Sequence, residues 1–182
     1  MTKLLRTLRL DPSDTFVFER AAEPGEWAVT GSVLFVDADP AAMGPKLRAA
    51  FRAGFLGLES FGFSTLVEVA EIGPDARDAV VRRFASALCD RFGAPDPEVA
   101  AAAAEDEIAF AASLCDHEPG TVIAMRRTLE GGEIREQFRT LNRRDPARSG
   151  ADRLHAFARA FEFVEVEEPE ERVSLPGLMD ES

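Results

Sequence analysis

Thr121-Val122-Ile123-Ala124-Met125-Arg126-Arg127-Thr128-Leu129-Glu130-Gly131-Gly132-Glu133-Ile134-Arg135-Glu136-Gln137-Phe138-Arg139-Thr140-Leu141 is the stretch on which the fold turns. Two runs of strand-forming residues flank Gly131-Gly132, which tolerates the positive φ of a two-residue hairpin turn. Pairing Glu130 with Glu133 sets Leu129 against Ile134, Arg127 against Glu136 and Met125 against Phe138. Alternation along each strand then gathers Ile123, Met125, Leu129, Ile134 and Phe138 on an inner face. Arg127 and Glu136 fall on that face too. They are expected to pair near its edge, because an unpaired buried charge is costly. Arg126, Arg135 and Arg139 point the other way. A slip of one residue would bury these arginines, so the register should be firmly held.

Upstream, Lys3 to Leu10 alternates as a strand does, and Asp11-Pro12-Ser13-Asp14 is turn chemistry. Thr15 to Glu19 and Trp27 to Asp37 read as two further strands, completing a three-strand N-terminal meander. Asp39-Pro40 opens a helix with Met43, Leu47, Phe51 and Phe55 on one stripe, unless Pro45 breaks it and the helix starts there. A strand from Phe63 to Ile72 follows a glycine-rich bend. Gly73-Pro74-Asp75 starts a helix with the stripe Val80, Phe84, Leu88 and Phe92. Asp96-Pro97 starts another, which buries Ile108, Ala111, Leu114 and Cys115. Downstream of the hairpin, residues 142–150 form a polar loop containing Arg143, Arg144 and Arg148. Leu154, Phe157 and Phe161 suggest a short helix, with a strand over Phe161 to Val166 as the alternative. The expected class is α+β: a mixed or antiparallel sheet with an N-terminal meander, central helices and a C-terminal β-hairpin. Residues 1–166 form one domain, and 167–182 an acidic, poorly ordered tail.

The run from Leu4 to Phe18 (LLRTLRLDPSDTFVF), with Gly54-Phe55-Leu56-Gly57 and Ser60-Phe61-Gly62, resembles a family of short bacterial cytoplasmic proteins of unknown function. The likeness lies mainly in the first 70 residues. It implies no catalytic residue, cofactor or partner.

Charge narrows the function classes. The net charge of −12 argues against non-specific nucleic-acid binding. It is unevenly spread: residues 126–159 carry +4, between acidic stretches of −8 (61–125) and −7 (160–182). No apolar run reaches the roughly 20 residues that span a bilayer, and the N-terminus lacks a signal-peptide core. The expected habitat is the cytoplasm. Cys89 and Cys115 read as free thiols.

Cys115-Asp116-His117-Glu118 holds two zinc-ligand types, Cys115 and His117. Their spacing is not that of recurring zinc sites, so the segment reads as a buried thiol at a polar helix end, and no metal or cofactor is expected. Glu59-Ser60-Phe61-Gly62 has a glycine two residues after a serine. Leu58 stands where a nucleophile elbow wants a small residue, and a strand follows instead of a helix. A bend is the simpler reading, and His155 would have to serve as the base of any triad. Glu105-Asp106-Glu107 reads as solvated. The arginine set Arg126, Arg135, Arg139, Arg143 and Arg144 suits carboxylates or phosphates. The leading expectation is a non-enzymatic accessory or partner-binding protein that presents this face to an acidic protein. The alternative is a small enzyme or ligand-binding protein acting on an anionic small molecule there.

Overall fold

A computed structural model describes residues 2–143, 163–167 and 171–172. The hairpin adopts the expected register at every position. Strand β6 (Val122–Glu130) pairs antiparallel with β7 (Glu133–Arg143), with Leu129 opposite Ile134, Arg127 opposite Glu136 and Met125 opposite Phe138. Gly131 and Gly132 have φ of 59° and 81°, the left-handed pair that a tight hairpin turn requires. Ile123, Met125, Ile134 and Phe138 are buried, whereas Leu129, at the hairpin tip, is exposed.

The rest of the sheet grows outward from this hairpin. Strand β1 (Thr2–Leu8) pairs with β2 (Trp27–Val29) and with β5 (Leu66–Ile72), and β5 pairs with β6. Strand β3 (Phe55–Gly57) joins β2, and β4 (Phe63–Ser64) joins β3. Beyond the hairpin, β8 (Phe163–Glu167) and β9 (Glu171–Arg172) both pair with β7. The order is β4-β3-β2-β1-β5-β6-β7-β8, the named strands of the described residues pair antiparallel throughout, and the class is α+β.

An N-terminal three-strand meander is present, formed by β1, β2 and β3. Its membership differs in detail from the sequence reading. The run from Thr15 falls in a short helix, α1 (Ser13–Val17), started by the Asp11 carboxylate accepting the Ser13 N–H. The Trp27–Asp37 run stays extended only to Val29. Gly31, at φ 80°, turns it into a 3-10 turn over Ser32–Phe35. Helix α2 (Pro45–Ala53) starts at Pro45, as a proline at the first helical position dictates. Helix α3 (Pro74–Asp90) follows Gly73, and α4 (Pro97–Ser113) is capped by Asp96, whose carboxylate accepts the Glu98 N–H at 2.7 Å. None of these helices is long and apolar enough to cross a membrane. The segment bearing Leu154, His155, Phe157 and Phe161 lies outside the described residues. So does the acidic C-terminal segment, apart from Glu167 and β9.

The sheet coils. In a flat sheet, β3 and β7 would stand five strand spacings apart, about 24 Å. Yet the rings of Phe55 on β3 and Phe138 on β7 are 6.4 Å apart. The face carrying Leu5, Val67, Val69, Ile123, Met125 and Phe138 is therefore concave. Helix α4 packs on it, with Phe110 edge-on to Phe138 at 5.9 Å. A smaller core of Phe18, Phe35, Met43, Ala50, Phe51 and Ile134 joins α2 to the hairpin. Two stripe residues face out instead: Leu47 on α2 and Phe92 just past α3 are exposed.

Candidate functional site

Among the described residues, two of the places where charge meets aromatic rings bear on function, one sealed and one open. The sealed one is the Arg127–Glu136 pair. It lies in the core rather than at its edge, because coiling folds the inner face of the hairpin over on itself. Both side chains are 0% exposed, with Arg127 Nε donating to Glu136 Oε1 at 2.9 Å. Arg127 also donates to the Phe51 carbonyl at 2.9 Å and the Thr30 carbonyl at 2.6 Å, and its guanidinium lies over the rings of Phe35 and Phe51. Glu136 Oε2 is buried without a hydrogen-bond partner among the described residues. Burial lifts the Glu136 carboxyl above the ordinary range while Arg127 pulls it back.

Glu107 joins this network. Its carboxylate accepts from the Ser32 hydroxyl at 3.1 Å and, more weakly, from Thr30 at 3.4 Å. Burial, then the charge of Glu136, raises its pKa to about 7. The reading of residues 105–107 as uniformly solvated is thus corrected. Glu105 stays outside on Arg77, whereas Glu107 turns inward from the same helix.

The open constellation is a cleft of about 590 Å³ between α2, the end of α3 and the loop before β4. Arg20, Lys46 and Arg91 supply positive charge, and Glu19 stands beside them. Phe61, Phe63, Phe92, Leu47 and Ala50 supply apolar walls. The Arg91 guanidinium lies 5.0 Å over the Phe61 ring, whose neighbour Phe92 stands edge-on at 6.0 Å. Lys46 and Leu47 belong to the first turn of α2, where the helix dipole adds partial positive charge.

The arginines expected at the hairpin share one face by register: Arg126 opposes Gln137, Arg135 opposes Thr128, and Arg139 opposes Ala124. Arg126 is exposed. Arg135 is bound to Glu130 at 2.7 Å. Arg139 lies opposite Glu167 and Arg143 opposite Phe163 in the pairing with β8, while Arg144 and Arg148 lie outside the described residues. The cleft and the hairpin face are different sites, and the cleft was not read from the sequence.

Cys115 is buried, its thiol bonded to the Ala111 carbonyl and pushed up to about 12 by burial. No group of three His, Cys, Asp or Glu among the described residues could hold a metal ion. The Ser60 hydroxyl is taken up by Glu26 and the Gly62 N–H, as a bend residue rather than an exposed nucleophile.

Fold and site together define an α+β protein built on one coiled antiparallel sheet, with a basic, aromatic-lined cleft at its side. The chain belongs to the family of unknown function DUF6505, whose model matches residues 1–167, well beyond the first 70 residues that carry the resemblance. No curated protein and no solved structure matches it.

Proposed function

We propose that this protein binds a small amphipathic anion in the cleft, its acidic group held by Arg20, Lys46 and Arg91 and its apolar body by Phe61, Phe63 and Phe92. The observation that carries this reading is the convergence of three cations on one aromatic-walled cleft in a chain of net charge −12. Such a field gathers anions, and arginine forks suit carboxylate, phosphate or sulfonate groups. A volume of about 590 Å³ is that of a small-molecule site. Titration with 8-anilinonaphthalene-1-sulfonate, which brightens in apolar surroundings, tests it. Saturable binding of one equivalent is expected, weakened by salt and by Arg20→Ala with Arg91→Ala in a folded variant. Absent or non-saturable binding, or full binding by that variant, sinks the reading.

A second reading keeps the hairpin face as a dock for an acidic protein partner. It is favoured by the shared face of Arg126, Arg135 and Arg139. A partner captured by the native protein and lost with Arg126→Ala would support it.

A further inference from the structure

We propose that Ser60 and Glu26 are positioning residues of the cleft, and that they make it select a flat aromatic anion over an aliphatic one. This rests on the reading of the cleft as an anion site. Phe61 has φ 56°, the one positive φ at a non-glycine among the described residues. A bulky residue there is strained, and such strain persists only where the surroundings over-determine it.

The surroundings are built on Ser60. Its backbone N–H donates to Glu26 Oε1 at 3.0 Å and its hydroxyl to Glu26 Oε2 at 3.1 Å. The same hydroxyl accepts the Gly62 N–H at 3.0 Å. Glu26 is itself buried and also accepts the Glu23 N–H at 3.2 Å. Two glycines give this clamp its room. A Cβ at Gly57 would lie 2.0 Å from Glu26 Oε2, and one at Gly62 would lie 2.5 Å from the Ala21 backbone.

Ser60 thereby fixes two sides of the cleft at once. Its carbonyl accepts from Arg20 Nη1 at 3.2 Å, which places one cation. The residue after it is Phe61, whose ring lies beneath a second cation, Arg91. A guanidinium lying over a ring keeps its N–H edge for an acidic group. The faces and edges of Phe61, Phe63 and Phe92 favour an aromatic body, because ring–ring contact adds to simple burial.

The test compares 1-naphthalenesulfonate with 1-octanesulfonate by calorimetry, and reads the ¹³Cα and ¹³Cβ shifts of Phe61, which report its φ without any ligand. Wild-type protein should prefer the aromatic sulfonate. Ser60→Ala should reduce that preference by about three- to tenfold, in line with the loss of one ring contact. It should also move the Phe61 shifts. Ser60→Thr, which keeps the hydroxyl, should retain both properties, and Phe61→Leu, which leaves no Phe61 shift to read, should lose the preference. Should Ser60→Ala fail to fold, Glu26→Gln turns one of the two acceptors that face Ser60 into a donor, with little change of shape. Unchanged preference and unchanged Phe61 shifts in the Ser60→Ala or Glu26→Gln variant overturn the proposal. Wild-type protein that binds neither sulfonate overturns the anion-site reading and the selectivity with it. The shifts then decide the clamp alone.

Discussion

Arg127 and Arg91 each lie over a phenylalanine ring at nearly the same distance, 5.1 Å from Phe35 and 5.0 Å from Phe61. Their surroundings give them opposite work. Arg127 is sealed, and its donors are spent on Glu136, the Phe51 carbonyl and the Thr30 carbonyl. It ties the hairpin to α2 and to the turn after β2, and nothing from outside can reach it. Arg91 borders an open cleft beside Arg20 and Lys46. A cation on a ring is therefore not a binding site in itself; solvent access decides whether its charge organises the fold or meets a ligand.

The largest expected effect tests the sealed member. Arg127→Ala leaves the buried Glu136 carboxyl without its counter-ion, and should cost about 3–5 kcal/mol. Urea denaturation measures it. Replacing both partners, Arg127→Met with Glu136→Leu, should cost far less, because neither member of the pair is then left buried without the other. Arg91→Ala should stay within about 0.5 kcal/mol of wild type, as surface substitutions do. Similar losses for Arg127→Ala and Arg91→Ala would erase the contrast. Phe138→Ala comes next, at about 3 kcal/mol or more. Its ring bridges Phe55 and Phe110, so a smaller loss would mean that the sheet coils less tightly than the contacts require.

The sealed region was largely legible in the sequence, and the open one was not. Gly131-Gly132 and strict alternation gave the hairpin register, and with it the Arg127–Glu136 pair. The depth of that pair was hidden, because coiling is a property of the whole sheet and not of two strands. Glu107 was hidden for the same reason: helical spacing separates it from Glu105, but only packing reveals that Ser32 waits on its side. The cleft gathers residues from four separated segments: Glu19–Arg20, Lys46–Ala50, Phe61–Phe63 and Arg91–Phe92. Leu47 and Phe92 continue apolar stripes and so read as core. Glu26 gave no signal, since a single glutamate beside a turn is ordinary until its partners are seen.

Glu107, half-buried at the margin of the sealed pair, gives a pH test of that region. Its folded pKa of about 7 stands above the ordinary 4.5. Below pH 4.5 both folded and unfolded chains hold the proton, and the raised pKa costs nothing. As pH rises from 4.5 to 7 the unfolded chain releases the proton first, so stability falls. Above 7 the cost is complete. Glu107→Gln should remove it. The stability gained by the variant over wild type should grow across that window to at most about 3 kcal/mol. The groups facing Glu107 are Arg127, Glu136, Ser32, Thr30 and the Gly31 backbone, so the double variant lacking Arg127 and Glu136 should change the window. A difference between Glu107→Gln and wild type that is flat from pH 4.5 to 7 would place this carboxylate in solvent.

The smallest effect belongs to an ion pair close in sequence to the sealed one. Arg135 precedes Glu136, so alternation sends it to the opposite face, where it meets Glu130 at 2.7 Å. That bond is shorter than the 2.9 Å between Arg127 and Glu136, and distance alone would rank it higher. Solvent reverses the ranking. The Arg135 and Glu130 side chains are 37% and 53% exposed, so water and salt screen the pair and both ions regain hydration when it breaks. Arg135→Ala should therefore cost under about 1 kcal/mol, and the loss should shrink further in high salt. Arg139→Ala added to it should still leave a folded protein, because both side chains leave the outer face. Thermal and urea unfolding at low and high salt measure both. If the pair at 2.7 Å proves worth as much as the sealed one, exposure is not what separates these two faces, and the division between Arg127 and the open arginines falls with it.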